Sequence, residues 1–466
     1  MRLASLAVAV LLSLPASAAL ADARIPDVAL EQAAQLREQA LADDTGWKIT
    51  ESLTTEVGPR LAGSEADARA VAWAVAKFKA LGFDKVWTEP VTFPKWERRG
   101  ERAEVLGAHA QKLALTALGG SPGGTVEAEV VRFADLAALQ AAPAGSLAGK
   151  IAFVDYRMQP RRDGGDYANG GGIRGRGPSE AIRKGAIGFV MRSAGTDTHR
   201  TPHTGMTRFE DGLTPIPSAA LSAPDADQLA RLTALGATRI RVTLDCGFDG
   251  EATSYNVIGE ITGSRKPKDI VLMGGHLDSW DLGTGAIDDA AGIGISMAAA
   301  HLLKPLKPAR TLRVVAFANE EQGLWGGRAY AQAHAGEIAR HVIAAESDLG
   351  AGRIYGFDTS AWENAKDATA KIAEALRPLG IEPMPGQGDP ESDIGPMARQ
   401  GMAWAWLGHD ATRYFDLHHN ADDTLDKIDP KDLAQNVAAY VVFAWLASQT
   451  EGDFGSAQKA DETARE

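Results

Sequence analysis

Residues 268–292 read KDIVLMGGHLDSWDLGTGAIDDAAG, an apolar run followed by one histidine (His276) and four aspartates (Asp278, Asp281, Asp288 and Asp289) among glycines. The run IVLMGG is a short continuous apolar segment, the pattern of a strand buried on both faces. The next segment, AAGIGISMAAAHLL, reads as a buried helix. So much acid at the end of a buried strand means either a solvated turn or a positive centre within it.

Working outward, the rest of the C-terminal half repeats this alternation. SYNVIGEI, TLRVVAFAN, RHVIAAESDL and MAWAWLG read as strands, and GGRAYAQAHA, ENAKDATAKIAEAL and DPKDLAQNVAAYVVFAWLASQ as helices. This order predicts an α/β fold, with a mostly parallel mixed sheet flanked by helices, over residues 251–450. On the N-terminal side, VALEQAAQLREQALADD and GWKITESLTTEV have helical spacing. Ser64 with Asp67 resembles a capping box, and the helix it opens buries Val71, Ala74, Val75 and Phe78. Gly82 closes that helix and DKVWTEPVTF alternates like a strand, so residues 22–97 join the same domain.

Between them, residues 98–250 change in composition. They are rich in Gly and Pro and carry short strands such as TVEAEVVRF, GKIAFVDY and GAIGFVMRS. They read as an inserted small β-rich domain, with YANGGGIRGRGPS as a mobile loop. Residues 451–466 read as a disordered tail.

The first residues, MRLASLAVAVLLSLPASAALADARIP, have one Arg, an apolar run and small residues suited to cleavage. Residues 1–21 are therefore expected to be a signal peptide, which implies export to the periplasm or beyond. The run is too short to span a membrane comfortably, and no membrane partner is expected after its removal. A net charge of −13 argues against a nucleic-acid partner. Cys246 is the single cysteine, so an exported chain must be held by burial and metal rather than by disulfides.

Acidic and histidine clusters recur at the ends of the expected strands. Beyond HLDSW and AIDDAAG these are ANEEQGLWGG (Glu320, Glu321), AESDLG (Glu346, Asp348) and DLHHNADDT (His418, His419, Asp423). Sites in open α/β sheets form at this carboxyl edge. A single acidic pair is commonly a helix N-terminus favoured by the dipole. Burying two carboxylates after AFAN without a cation, however, costs on the order of several kcal/mol per charge.

In this order the motifs resemble the co-catalytic di-zinc aminopeptidase family, in its carboxypeptidase Q branch. GPRLAGS at residues 58–64 matches that family's N-terminal segment, and the insert is similar to a protease-associated domain. The resemblance implies two Zn2+ per subunit, with His276 and Asp348 on one, Glu321 and His419 on the other, and Asp288 bridging. It implies that Asp278 orients the His276 imidazole, that Glu320 is the general base, and that the Asp288–Asp289 peptide is cis. His419 rather than His418 follows from its position four residues before Asp423-Thr424. The substrates implied are short peptides, cleaved as dipeptides or from a free N-terminus, and a homodimer is implied as well. A mono-zinc glutaminyl cyclase and a non-catalytic binding protein share the scaffold, but here every ligand position and the base are filled.

The remaining features carry less. Trp325, Trp404 and Trp406 read as core, Trp280 as the one tryptophan placed to meet substrate, and Asp281 has no assigned role. The loop GDPESD (Asp389, Glu391, Asp393) reads equally as an amine-binding edge of the pocket and as a solvated turn.

Overall fold

The computed structural model describes residues 22–456. The expected signal peptide lies outside the described residues. The strands Lys266–His276, Arg310–Phe317 and His341–Glu346 run parallel, with Lys266–His276 between the other two. Residues 270–275 are almost wholly buried, because the helix Ala291–Leu303 covers one face and Phe317 and Tyr330 pack on the other. The buried face explains why this strand is apolar without alternation. The run Ala286–Leu306 is long and apolar enough to cross a membrane, but 89% of its apolar window is buried inside the protein. Its hydrophobicity belongs to the core.

The strand Arg239–Ile261 joins the two halves of the molecule. Its C-terminal end pairs antiparallel with Arg310–Phe317, and its N-terminal end pairs antiparallel with Gly124–Phe133. Along nearly its whole length it pairs with Lys85–Val105, forming one long antiparallel ribbon. Beyond Gly124–Phe133 the sheet continues in parallel through Ile151–Val154, Gly188–Arg192 and Ser218–Leu221. Residues 98–250 therefore extend the same hydrogen-bonded sheet while building a second apolar cluster around Ile151, Phe153, Val190 and Leu229.

Three local expectations change. YANGGGIRGRGPS is not a loop but most of the helix Tyr167–Arg183, with Pro178 inside it. Gly170 and Gly177 face the core so closely that a Cβ would lie 2.3 Å from the Met158 sulfur and 2.6 Å from the Phe189 ring. Packing at these positions overrides the low helix propensity of glycine. Second, residues 451–456 are packed rather than free: Glu451 bridges Arg24, and Phe454 and Ser456 are fully buried. Third, the helix Glu65–Ala80 is capped by Ser64 as expected but turns Ala70 and Trp73 inward, leaving Val71 and Val75 only half-buried. A further strand, Ile354–Thr359, pairs antiparallel with Ala405–His409.

Candidate metal centre and active site

Three of the acidic clusters reach the same place because they follow adjacent parallel strands of one sheet. His276 ends the central strand, Glu320 and Glu321 follow Arg310–Phe317, and Asp348 follows His341–Glu346. Asp288 lies in a one-turn segment, Ala286–Ala290, ahead of the core helix, and the Asp288–Asp289 peptide is cis. His419 arrives from the turn after Tyr414–Leu417, with a left-handed φ of 61°.

The structure brings these side chains into one buried cluster. His276 Nε2 lies 3.0 Å from Asp288 Oδ1 and 3.2 Å from Asp348 Oδ1. His419 Nε2 lies 2.8 Å from Glu321 Oε2 and 3.3 Å from Asp288 Oδ2. Asp288 thus turns one oxygen toward each histidine. Asp288 Oδ2 and Glu321 Oε1 are buried without a hydrogen-bond partner. Orphaned anionic oxygens in the interior are costly unless a positive centre offsets their charge. His418 stacks on His419 with ring centroids 3.4 Å apart, and its Nε2 stands 3.8 Å from Asp288. The nearer imidazole is therefore His419.

The electrostatics follow from burial. Burial, reinforced by Asp348 for Glu320 and by Asp288 for Glu321, pushes both carboxyls well above the usual carboxylate range. Burial lowers His276, but Asp348 and the bonds to Asp278, Asp288 and Asp348 carry it well upward. Glu320 has no hydrogen-bonded side-chain partner among the described residues, and it lines an open pocket beside Glu321. Asp278 meets His276 in two ways. Its carbonyl oxygen lies 3.0 Å from Nδ1, and its carboxylate stands 3.6 Å away while accepting from the Glu320 backbone N–H at 3.0 Å.

The other aspartates of the opening stretch now have partners. Asp289 accepts from the backbone N–H groups of His276 and Gly292 at 3.0 and 2.9 Å. That fit needs glycine, because a Cβ on Gly275 would lie 2.3 Å from the Asp289 carboxylate and one on Gly292 2.0 Å from the Ser347 carbonyl. Asp281 takes a two-pronged bond from Arg98 at 2.7 and 3.0 Å, which fastens the loop to the long ribbon.

Several contributors were not singled out from the sequence. Arg60, within GPRLAGS, is fully buried and donates to the carbonyls of Leu277, Thr284 and Gly285 along the loop between His276 and Asp288. Asp423, used above only as a spacing mark, accepts from the N–H groups of Ala286 and Ile287 at 2.7 and 2.8 Å. From residues 98–250, the Thr204 carbonyl meets His419 Nδ1 at 3.3 Å, and His203 Nδ1 donates to the His418 carbonyl at 2.6 Å. No local motif marks these residues, since each acts across more than a hundred positions of chain.

Trp280 stands with its ring centroid 5.8 Å from that of His419. It is buried at 3% exposure and wedges into the second apolar cluster against Trp96. The GDPESD loop is divided: Asp389 is exposed, whereas Asp393 is buried and accepts from the Gly327 N–H at 3.0 Å.

Known proteins place this geometry. The model of peptidase family M28 matches residues 256–444. Carboxypeptidase Q from Bos taurus is 34% identical over 417 residues, 88% of this chain and 86% of the relative. The solved structure of a peptidase M28 precursor from Shewanella amazonensis SB2B is 48% identical with a TM-score of 0.87, covering 91% of this chain and 97% of that one. BSAP, a zinc aminopeptidase from Bacillus subtilis, shares the fold at 20% identity and a TM-score of 0.61 over 86% of this chain and 95% of that one. With its buried histidine and carboxylate cluster at the carboxyl edge of the sheet, the chain belongs to peptidase family M28 and is a metallo-exopeptidase.

Proposed function

We propose that this chain is an exported exopeptidase that cleaves short peptides with two zinc ions held side by side. Asp288 carries the reading, because its two carboxylate oxygens face different histidines, each with its own further carboxylate. His276 and Asp348 would hold one ion, Glu321 and His419 the other, and Asp288 both. Imidazole and carboxylate donors suit zinc, and the unpartnered oxygens of Asp288 and Glu321 fit a cation. When bound, the metal pair polarises the scissile carbonyl and makes an attacking water acidic near neutral pH.

The chain's own residues do the rest. The Asp278 carbonyl accepts from His276 Nδ1, which fixes the tautomer and leaves Nε2 free as a donor atom. The Thr204 carbonyl does the same for His419. Glu320, held by its backbone N–H on Asp278, takes the proton of the attacking water and returns it to the leaving amine. Export is supported by the N-terminal residues 1–21 and by the Shewanella relative being described as a precursor. The protease-associated likeness of residues 98–250 is part of the same reading.

The test is a zinc count together with turnover of a short-peptide panel, with and without chelator. Two zinc ions per chain and chelator-sensitive cleavage are expected. Glu320→Gln should lower turnover by about 100- to 10,000-fold while keeping both zinc ions. Loss of zinc in that variant would exchange the roles of Glu320 and Glu321, and no cleavage of any peptide by zinc-loaded protein would end the exopeptidase reading.

A further inference from the structure

The two histidines of the cluster are held from different parts of the chain. The His276 ring is fixed by the Asp278 carbonyl, within its own loop. The segment that carries His419 is instead held by residues 193–204, with partners 215 positions apart in sequence. His419 needs such a hold, because a side chain with a Cβ disfavours its left-handed φ of 61° and it lies in a turn. Thr196 donates its N–H to the Phe415 carbonyl at 3.0 Å and its hydroxyl to the Asp416 carboxylate at 2.8 Å. The Thr204 N–H donates to the His419 carbonyl at 2.9 Å, and the Thr204 carbonyl accepts from His419 Nδ1 and from Arg174, both at 3.3 Å.

His203 sits at the centre of this contact, buried at 1% exposure. Its Nδ1 lies 2.6 Å from the His418 carbonyl oxygen, which only accepts, so Nδ1 carries the proton and donates. Its Nε2 lies 3.0 Å from Asp197 Oδ1 and 3.0 Å from the side-chain amide nitrogen of Asn420. Its backbone N–H donates to the Ser193 hydroxyl at 2.8 Å. One ring thus grips the peptide before His419 and the side chain after it. Gly195 leaves room for that ring, since a Cβ there would lie 2.5 Å from both Cε1 and Nε2.

We propose that His203 is a positioning residue for one of the two metal sites. By gripping His418 and Asn420 it holds His419 in the pose from which Nε2 meets Glu321 and Asp288. This rests on the reading of His419 as a zinc ligand. Because the His276 ring takes its bond from its own loop, loosening His203 releases one ion and keeps the other. Residues 98–250 are then part of the metal centre and not only a wall beside it.

The test is zinc affinity in His203→Leu, which removes both ring nitrogens. Wild type should hold two zinc ions, and the variant should hold one of them about ten- to a hundredfold more weakly in chelator competition, with the other unchanged. Turnover of a short peptide should then return as free zinc is raised, which a protein that is only less stable would not show. Gly195→Ala, which pushes on the ring and leaves its nitrogens in place, should weaken the same ion. His203→Asn, whose amide nitrogen falls near the place of Nδ1, should recover most of the affinity. Gly177→Ala, which crowds Phe189 instead, should lose stability and keep both ions. If His203→Leu does not fold, Gly195→Ala and His203→Asn decide the question. A crystal structure of zinc-free His203→Leu should show His419 away from its left-handed φ and its Nε2 withdrawn from Glu321. If wild type binds fewer than two zinc ions, the two-metal reading falls, and a displaced His419 in that structure still supports the grip. Two tightly held ions in both His203→Leu and Gly195→Ala, loss of both ions together, or an unmoved His419 would overturn the proposal.

Discussion

The wall that carries Glu320 and Glu321 and the wall that carries Arg174 and Arg208 face one pocket but are held in different ways. On the acidic wall Glu320 and Glu321 follow the strand Arg310–Phe317, and backbone N–H groups and buried polar side chains fix the surroundings in place: Asp278 on the Glu320 N–H, Asp289 on the His276 N–H, Arg60 on three loop carbonyls. On the arginine wall a glycine-rich helix packs closely on Met158 and Phe189 and is tied through Arg174 to the Thr204 carbonyl and through Ser179 to the Arg208 carbonyl, while the buried Arg174 Nε has no partner. The first wall is fixed by hydrogen bonds to backbone and the second by close packing of small residues, two different ways of holding the side chains that face one pocket.

Breaking the acidic wall should have the largest effect. His419→Ala is expected to lose one zinc per chain and essentially all turnover, whereas His418→Ala, whose ring stands 3.8 Å from Asp288, should keep both ions by elemental analysis. Next comes the support of that wall. Arg60→Met removes a buried cation from among Asp423, Asp278, Asp289 and Asp288 and strips three carbonyls of their donor. A loss of about 3–5 kcal/mol in denaturant unfolding is expected, and an unchanged midpoint would show that the loop holds itself. On the arginine side, Gly177→Ala drives a methyl into Phe189, and a loss of roughly 1–3 kcal/mol should appear in the same unfolding experiment.

The smallest effect at neutral pH is a pH slope away from both walls. Burial lowers His409 from its ordinary 6.5 to about 4. Its value is lower folded than unfolded, so the stability it supports is full above pH 6.5 and is lost as pH falls toward 4. The contribution is at most about 1.4 kcal/mol per pH unit. His409→Gln should flatten the fall in unfolding free energy across that window, and identical slopes for both proteins would refute the assignment.

How much of this was legible depends on the distance over which each residue acts. The apolar strands and the acids that follow them are local patterns, read at spacings of two to a few residues, and the order of these motifs carried the family resemblance that picked out His276, Asp288, Glu320, Glu321, Asp348 and His419. The cis peptide between Asp288 and Asp289 was implied by the family resemblance and is present. Arg60, Asp423, Thr204 and Arg98 escaped because their partners lie far away in sequence, where no periodicity points to them. Trp280 escaped for the same reason, since nothing in HLDSW says that a second apolar cluster lies above it.

The helix Tyr167–Arg183 shows where local reading stops. Its glycines argue for a loop by propensity, and only Met158 and Phe189 pressing on Gly170 and Gly177 make helix the better state. By itself, the sequence determined the α/β alternation and the acidic and histidine clusters at the strand ends, because strand burial and donor chemistry are written residue by residue, while the proposed ligand set came from the family resemblance of those motifs. Tertiary structure alone decided which oxygen of Asp288 faces which histidine and which arginines face the pocket, because both are fixed by contacts between segments that the chain brings together only on folding.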